Sequence, residues 1–305
     1  MSPPPTEVVA RERARSGAAP LARLADYVAL TRPRILSLVA LTVPPAFVLG
    51  GGEWPAPAVL VAVILGVTLL GAGSSAINAW WERDRDARML RTADRPLPQR
   101  RLEPSQALGF GIATSAAGAT LLAVGGGALA ALVGLATLAH YLVVYTVWLK
   151  PRSSWSTVVG AIAGAAPPLV ADAVDGSFGF AGLWIFAVVF LWQPPHVWAI
   201  ALYRDSEYAA AGFPMLPRVI GERRARRWML GFALVLWAVM LVPWIVGLLG
   251  IVYGVTASLA GFAFVARIVE SMRLGTEAAD RAVFRTSLVV LASVLGVALV
   301  ECALR

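Results

Sequence analysis

The chain has 305 residues, 58% of them hydrophobic and 14% charged, with a mean hydropathy of +0.72. A soluble domain carries roughly 25% charged residues, so the composition excludes a globule with one buried core and reads as an all-α polytopic membrane protein. The net charge of +8 would suggest nucleic acid in a soluble protein, but here the basic residues sit in short loops between apolar runs, where they set topology and argue against a nucleic-acid partner.

The first 26 residues are rich in Pro, Ala and Arg and have no apolar core. They read as a disordered cytoplasmic tail, not a cleavable signal, with a single intramembrane domain over 27–305. The first span opens at Pro33, a residue suited to a first helical turn, and runs to about Leu49. The second covers about Pro55 to Trp81 and the third about Ala107 to Leu122, followed by a tight turn at Gly125-Gly126-Gly127. The fourth, about Ala128 to Leu149, ends at Lys150-Pro151-Arg152. A fifth spans about Thr157 to Val170, and the sixth about Gly179 to Tyr203. After a polar loop, Arg204 to Arg227, come the seventh (about Trp228 to Leu249), the eighth (about Ile251 to Ala266) and the ninth (about Phe284 to Leu304). Nine spans place 25 of the 26 basic residues on one side and only Arg305 on the other. Basic loops stay in the cytoplasm, so the N-terminus is expected inside and the C-terminus outside. The inner loops also carry nearly all the polar residues with chemistry to offer, which puts any active site at the cytoplasmic face.

The stretch Asn78 to Leu97 holds the densest chemistry. Asn78, Glu82 and Asp86 are spaced i, i+4, i+8, so they line one face of a helix at the inner mouth of the second span. Two carboxylates and an amide on one face suit a hard divalent cation such as Mg²⁺. The arginines around them suit the phosphates that such a cation accompanies. Asp84 lies off that face. The sixth span ends in a second constellation, Trp192-Gln-Pro-Pro-His196, with Glu207 just beyond its inner end. Pro194 and Pro195 are expected to break or kink that span and free a carbonyl. Two facing acidic helix ends are the pattern of a metal-bridged diphosphate site, with Lys150, Arg152 and Arg204 as further phosphate contacts. One cysteine, Cys302, and two histidines exclude a disulfide and a cysteine or multi-histidine metal cluster.

These residues resemble the intramembrane prenyltransferase superfamily that includes the 4-hydroxybenzoate prenyltransferases of the ubiquinone pathway. The resemblance runs from about Asp26 to the C-terminus and rests on DYVALTRPR (26–34), NAWWERDRDARMLRTADRPLP (78–98), YTVWLK (145–150), GAAPPL (164–169), WQPPH (192–196) and GFPMLP (212–217). The last two, with R-T-x-x-R-P-L-P, are narrower and resemble the haem-modifying branch. The resemblance implies nine helices around a central cavity, Mg²⁺ as cofactor, and farnesyl diphosphate and haem B as substrates in the lipid bilayer of the cell inner membrane. It implies a catalytic and metal-binding set of Asn78, Glu82, Asp86 and Glu207, and a diphosphate-binding set of Arg34, Arg91, Arg95, Lys150, Arg152 and Arg204. His196, Tyr145 and Trp192 are the implied haem pocket. A haem A synthase or oxidase assembly factors are candidate protein partners. The chain departs from the usual pattern at Glu82 and Glu207, where aspartate is usual, and at Pro151, which replaces the arginine of a Lys-Arg pair. Two other functions compete. Prenylation of an aromatic quinone precursor would keep the acid motifs but not WQPPH and GFPMLP. A transporter or haem carrier would place charges at the bilayer midplane and show inverted repeats; the spans carry few charges and no evident repeat.

Overall fold

A computed structural model describes residues 20–49 and 54–304, and among these all regular structure is helical. Eight helices are long and apolar enough to cross a membrane: Pro57–Asp86, Pro104–Gly125, Gly127–Leu149, Ser156–Asp175, Phe180–Tyr203, Glu222–Ile245, Ile251–Leu274 and Glu277–Ala303. The expected first span is the shorter apolar helix Pro33–Val48. It is broken at Thr42 into α2 (Pro33–Leu41) and α3 (Val43–Val48), and Pro33 sits in its first turn.

The expected tail divides in two. Residues 1–19 lie outside the described residues. Residues 20–26, expected to be disordered, belong instead to helix α1 (Pro20–Thr31). Tertiary contacts supply what local composition lacks. Tyr27 packs on Phe110 with ring centroids 5.1 Å apart, Leu30 is buried with Ala76, Ala79 and Leu97, and Asp26 pairs with Arg101 at 2.9 Å.

The helices outrun the apolar stretches that announce them. Helix α4 (Pro57–Asp86) carries the whole acidic face within its last turns. Its neighbour α5 (Pro104–Gly125) begins with a capping box in which Glu103 and Gln106 exchange side chain-to-backbone bonds. The expected loop Arg204 to Arg227 is largely helical: α10 (Asp205–Ala210), α11 (Leu216–Ile220), and a seventh span, α12, that starts at Glu222 rather than Trp228. The last span, α14 (Glu277–Ala303), starts before Phe284, with the Thr276 side chain accepting from Ala279 N. Apolar runs mark where lipid is, whereas backbone hydrogen bonding continues for several polar turns. Conversely, the expected fifth span is interrupted after α7 (Ser156–Ala165) and restarts at Pro167 as α8 (Pro167–Asp172). The sixth, α9 (Phe180–Tyr203), runs through Pro194 and Pro195 as one helix, so no break occurs there.

Two packing devices set the frame. Helices α4 and α5 approach through glycines: a Cβ on Gly73 would stand 2.1 Å from Ser115 Oγ and 2.6 Å from the Gly111 carbonyl, and one on Gly118 would stand 2.7 Å from the Gly66 carbonyl. At the polar end of the last three helices, Arg226 bonds both Asp280 (2.8 Å) and Ser271 (3.0 Å) in a buried network. It joins α12 to α13 (Ile251–Leu274) and α14, so the charges are paired at the depth where an unpaired one is costly.

Candidate active site

The helical face predicted from spacing forms. Asn78, Glu82 and Asp86 are 0%, 3% and 5% exposed, whereas Asp84 points outward beside Arg83. Each of the three is held by a partner distant in sequence or just past the helix end. Arg32 donates to Asn78 Oδ1 at 2.8 Å, and Asn78 Nδ2 donates to Thr146 Oγ1 at 3.2 Å. Lys150 Nζ lies 2.6 and 2.7 Å from the two carboxylate oxygens of Glu82. Arg95 donates to Asp86 Oδ2 at 2.7 Å. The Arg91–Pro98 segment curls back under α4 because Thr92 Oγ1 donates to the Asp86 carbonyl at 2.7 Å.

Charge is crowded here. Burial and the neighbouring charge of Arg32 push the Arg95 guanidinium below its ordinary value, although Asp86 opposes the shift. Half-buried cations that repel one another make a ready seat for an anion.

The second acidic helix end approaches the first. Glu207, in α10, accepts from Arg204 at 2.5 Å and from the backbone N–H of Arg91 at 3.2 Å. It does not merge with the first acids into one cluster: among the described residues no three acidic, histidine or cysteine side chains converge as metal ligands. The oxygen set present is two carboxylates and one amide on α4. That set fits a hard divalent cation that takes its remaining ligands from phosphate and water.

A cavity of about 300 Å³ opens beside this face. Its polar mouth is made by Arg32, Lys150, Tyr141 and Tyr145, and its interior by Leu36, Val39, Val67, Leu70, Leu138 and Val170. Charge at one end and aliphatic walls beyond match an amphiphile with an anionic head and a hydrocarbon tail. The GFPMLP loop closes the mouth from one side: Phe213 is buried against Met89, and Lys150 Nζ stands 4.7 Å over its ring.

The remaining predicted residues fall in different places. Tyr145 lines the cavity. Arg34 is exposed and not among the lining residues, whereas Arg32, two positions earlier, faces inward. Arg152 turns its guanidinium to the carbonyls of Val147 (3.0 Å) and Trp148 (2.9 Å). His196 and Trp192 stack on each other at 4.3 Å and both bond Ser287 of α14, through Nδ1 at 2.7 Å and through the indole N–H at 2.7 Å to its carbonyl. Gln193 and Val197 of the same helix are the ones that line the cavity. Sequence reasoning missed Arg32, Tyr141, Thr146, Gln193 and Phe213. Four of them lie inside or beside quoted motifs, but only the tertiary contact says which face they take.

The chain matches the model of the UbiA prenyltransferase family over residues 38–294. It is 40% identical over 285 residues to a protoheme IX farnesyltransferase of Rhodopseudomonas palustris, covering 92% of this chain and 91% of that one. With the protoheme IX farnesyltransferase of Novosphingobium aromaticivorans it shares 40% identity over 242 residues, 79% of each chain. The fold is similar to that of a digeranylgeranylglyceryl phosphate synthase (TM-score 0.77, 14% identity, covering 92% of this chain and 99% of that one). It is also similar to that of a UbiA homologue from Archaeoglobus fulgidus bound to geranyl diphosphate and Mg²⁺ (TM-score 0.65, 16% identity, 89% and 99% covered). A buried acidic face, a cationic mouth, an apolar cavity and these likenesses agree: the chain is a multi-pass membrane protein and belongs to the UbiA prenyltransferase family.

Proposed function

We propose that this enzyme transfers the farnesyl group of farnesyl diphosphate to a vinyl group of haem B, with addition of water, to give haem O. The observation that carries the reading is the cavity itself. Its mouth pairs Arg32 and Lys150 with the Asn78–Glu82–Asp86 face, and its interior is aliphatic. The acceptor is read from the names of the relatives that share 40% identity over most of the chain.

Asn78, Glu82 and Asp86 would hold Mg²⁺, which when bound neutralises charge that develops on a departing diphosphate. Arg32, Lys150 and Arg95 bind the phosphate oxygens, with arginine contributing two donors at once and lysine a point charge. On substrate entry Lys150 and Arg95 exchange a carboxylate partner for a phosphate one, which keeps every buried charge paired. Loss of the diphosphate leaves an allylic cation, or its equivalent, against the aliphatic walls of Leu36, Val67 and Leu70. The haem vinyl carbon attacks C1 of the farnesyl group, and the carbon–oxygen bond to diphosphate is the one that breaks. That attack uses the vinyl π pair and leaves a carbocation on the carbon attached to the porphyrin; water adds to it and loses a proton to solvent. Glu207 with Arg204 closes the second side through Arg91, and Tyr145, which lines the cavity with Gln193 and Val197, is the residue proposed nearest the porphyrin. The basic loops support a cell inner membrane location with the site facing the cytoplasm.

The test is to incubate membranes containing the protein with farnesyl diphosphate, haem B and Mg²⁺ and to measure haem O by mass spectrometry. Haem O and diphosphate release that stop on chelation of Mg²⁺ are expected. A prenylated aromatic acid without haem O would overturn the choice of acceptor. Transport without diphosphate release would overturn the reaction class.

A further inference from the structure

The fourth span changes geometry where it reaches the site. From His140 to Leu149 it is a wide helix bonded i→i−5, ending with Lys150 N to the Tyr145 carbonyl at 2.8 Å. Such segments are uncommon and concentrate at functional sites. In an α-helix, at about 100° per residue, five steps would leave Lys150 about 140° round from Tyr145. In the wide helix residues five apart share a face. Tyr145 and Lys150 accordingly both line the cavity, with Nζ 5.7 Å from the ring centroid, and Lys150 reaches Glu82.

The end of this helix is unusual in how its carbonyls are satisfied. Pro151 has no N–H, so the ladder stops at Lys150. In an α-helical ending, the backbone N–H of Arg152 would bond the Trp148 carbonyl four residues back. Here that N–H bonds the Leu149 carbonyl at 2.9 Å, as does Ser153 N at 2.8 Å. The Arg152 guanidinium takes over instead, donating to the carbonyls of Val147 and Trp148. Each would otherwise lack a helical donor at a membrane boundary, where unpaired backbone is costly.

We propose that Arg152 is a positioning residue for prenyl transfer: its side chain holds the wide helix in register, and the wide helix aims Lys150 at the diphosphate end of the cavity. The inference rests on reading Lys150 as a diphosphate ligand. It assigns Arg152 no phosphate contact of its own, in keeping with its exposed side chain turned to backbone oxygens.

A double-mutant cycle tests it. The full-length protein is purified in detergent, and the affinity for farnesyl thiodiphosphate with Mg²⁺ is measured by calorimetry for wild type, R152A, R152K, K150A and R152A/K150A. R152A is expected to weaken binding about tenfold, with R152K restoring most of the loss. In the K150A background, R152A is expected to change nothing further, because neighbours acting through one group are not additive. A general loss of stability would not follow that pattern. Wild-type affinity in R152A overturns the inference, and so do losses that multiply in the double variant, which would make Arg152 an independent contact. If K150A itself binds like wild type, the reading of Lys150 fails instead. Should R152A not fold, R152Q, which keeps one donor group, replaces it in the same cycle.

Discussion

At the scale of single residues, the site is built from pairs rather than from isolated ligands. Glu82 with Lys150 and Asp86 with Arg95 are carboxylates buried to within 5% exposure, and each is neutralised by a cation that can turn to another partner. Asp86→Asn keeps the shape and hydrogen-bonding reach but removes the charge. Diphosphate release is expected to fall about 10²-fold or more, the scale set by removing one electrostatic contact from a transition state. The protein should remain in the membrane, and near-normal turnover in a phosphate-release assay would refute the metal role of Asp86. Glu82→Asp is expected to remain within about tenfold of wild type, because the lost methylene can be taken up by the flexible four-carbon stem of Lys150. The face itself was legible, since i, i+4, i+8 spacing needs only helix geometry. Arg32, Thr146 and Phe213 were not, because Arg32 and Thr146 meet Asn78 from 46 and 68 residues away and no local pattern encodes such a meeting. Arg32 also adopts a left-handed backbone (φ 55°) immediately before Pro33, a conformation rare for a side chain of its size. That local geometry belongs to the residue directing its guanidinium to Asn78, whereas the motif alone had pointed to Arg34.

At the scale of elements, hydropathy located the spans but not their ends. The runs beginning at Trp228 and Phe284 are apolar interiors of helices that start at Glu222 and Glu277. The extra turns are polar because they lie beyond lipid, and they are helical because their backbone bonds continue and partners such as Asp280 and Arg226 tie them together. Glycine is the opposite case: its meaning was invisible in composition. Gly73 and Gly111 bring the backbone of α4 against that of α5 and so fix where Asn78, one turn further along α4, can stand. Gly73→Leu should therefore do more than overpack. The side chain has nowhere to go between Ser115 and the Gly111 carbonyl, so a loss of about 1–3 kcal/mol is expected. The acidic face should also shift relative to Lys150. Thermal unfolding in detergent, read beside farnesyl thiodiphosphate affinity, checks both. An unchanged midpoint would show that the two helices are free to separate at this level.

At the scale of the whole molecule, charge distribution and helix count together set the topology. Eight helices have the length to cross, while Pro33–Val48, at 1.5 Å per residue, reaches only about 24 Å against a hydrocarbon core of about 30 Å. Its break at Thr42 and its start at Pro33, which has no side-chain cap, do not lengthen it. Yet the cavity is lined by Leu36 and Val39 of this helix together with Val67 and Leu70 of α4, so the short helix stands beside full spans and not on the surface. Local bilayer thinning or flanking side chains can accommodate a mismatch of that size at modest cost. If it crosses, there are nine crossings and the termini lie on opposite faces, with 25 of 26 basic residues on one side. If it does not, the two ends share a face and the charge bias weakens: the six basic residues of the N-terminal segment join Arg305, and 19 of the 26 remain on the other side. The side of the N-terminus distinguishes the two: an epitope tag before Met1 is expected to be shielded from antibody in sealed right-side-out vesicles, and alkaline phosphatase, active only outside the cytoplasm, is expected to be active when fused after Arg305. A fusion in the loop after Asp86 is expected to be inactive. Activity in the loop fusion would place the acidic face outside and reverse the proposed orientation, whereas an N-terminal tag reached from outside, with the loop fusion inactive, would show that Pro33–Val48 turns back within the membrane.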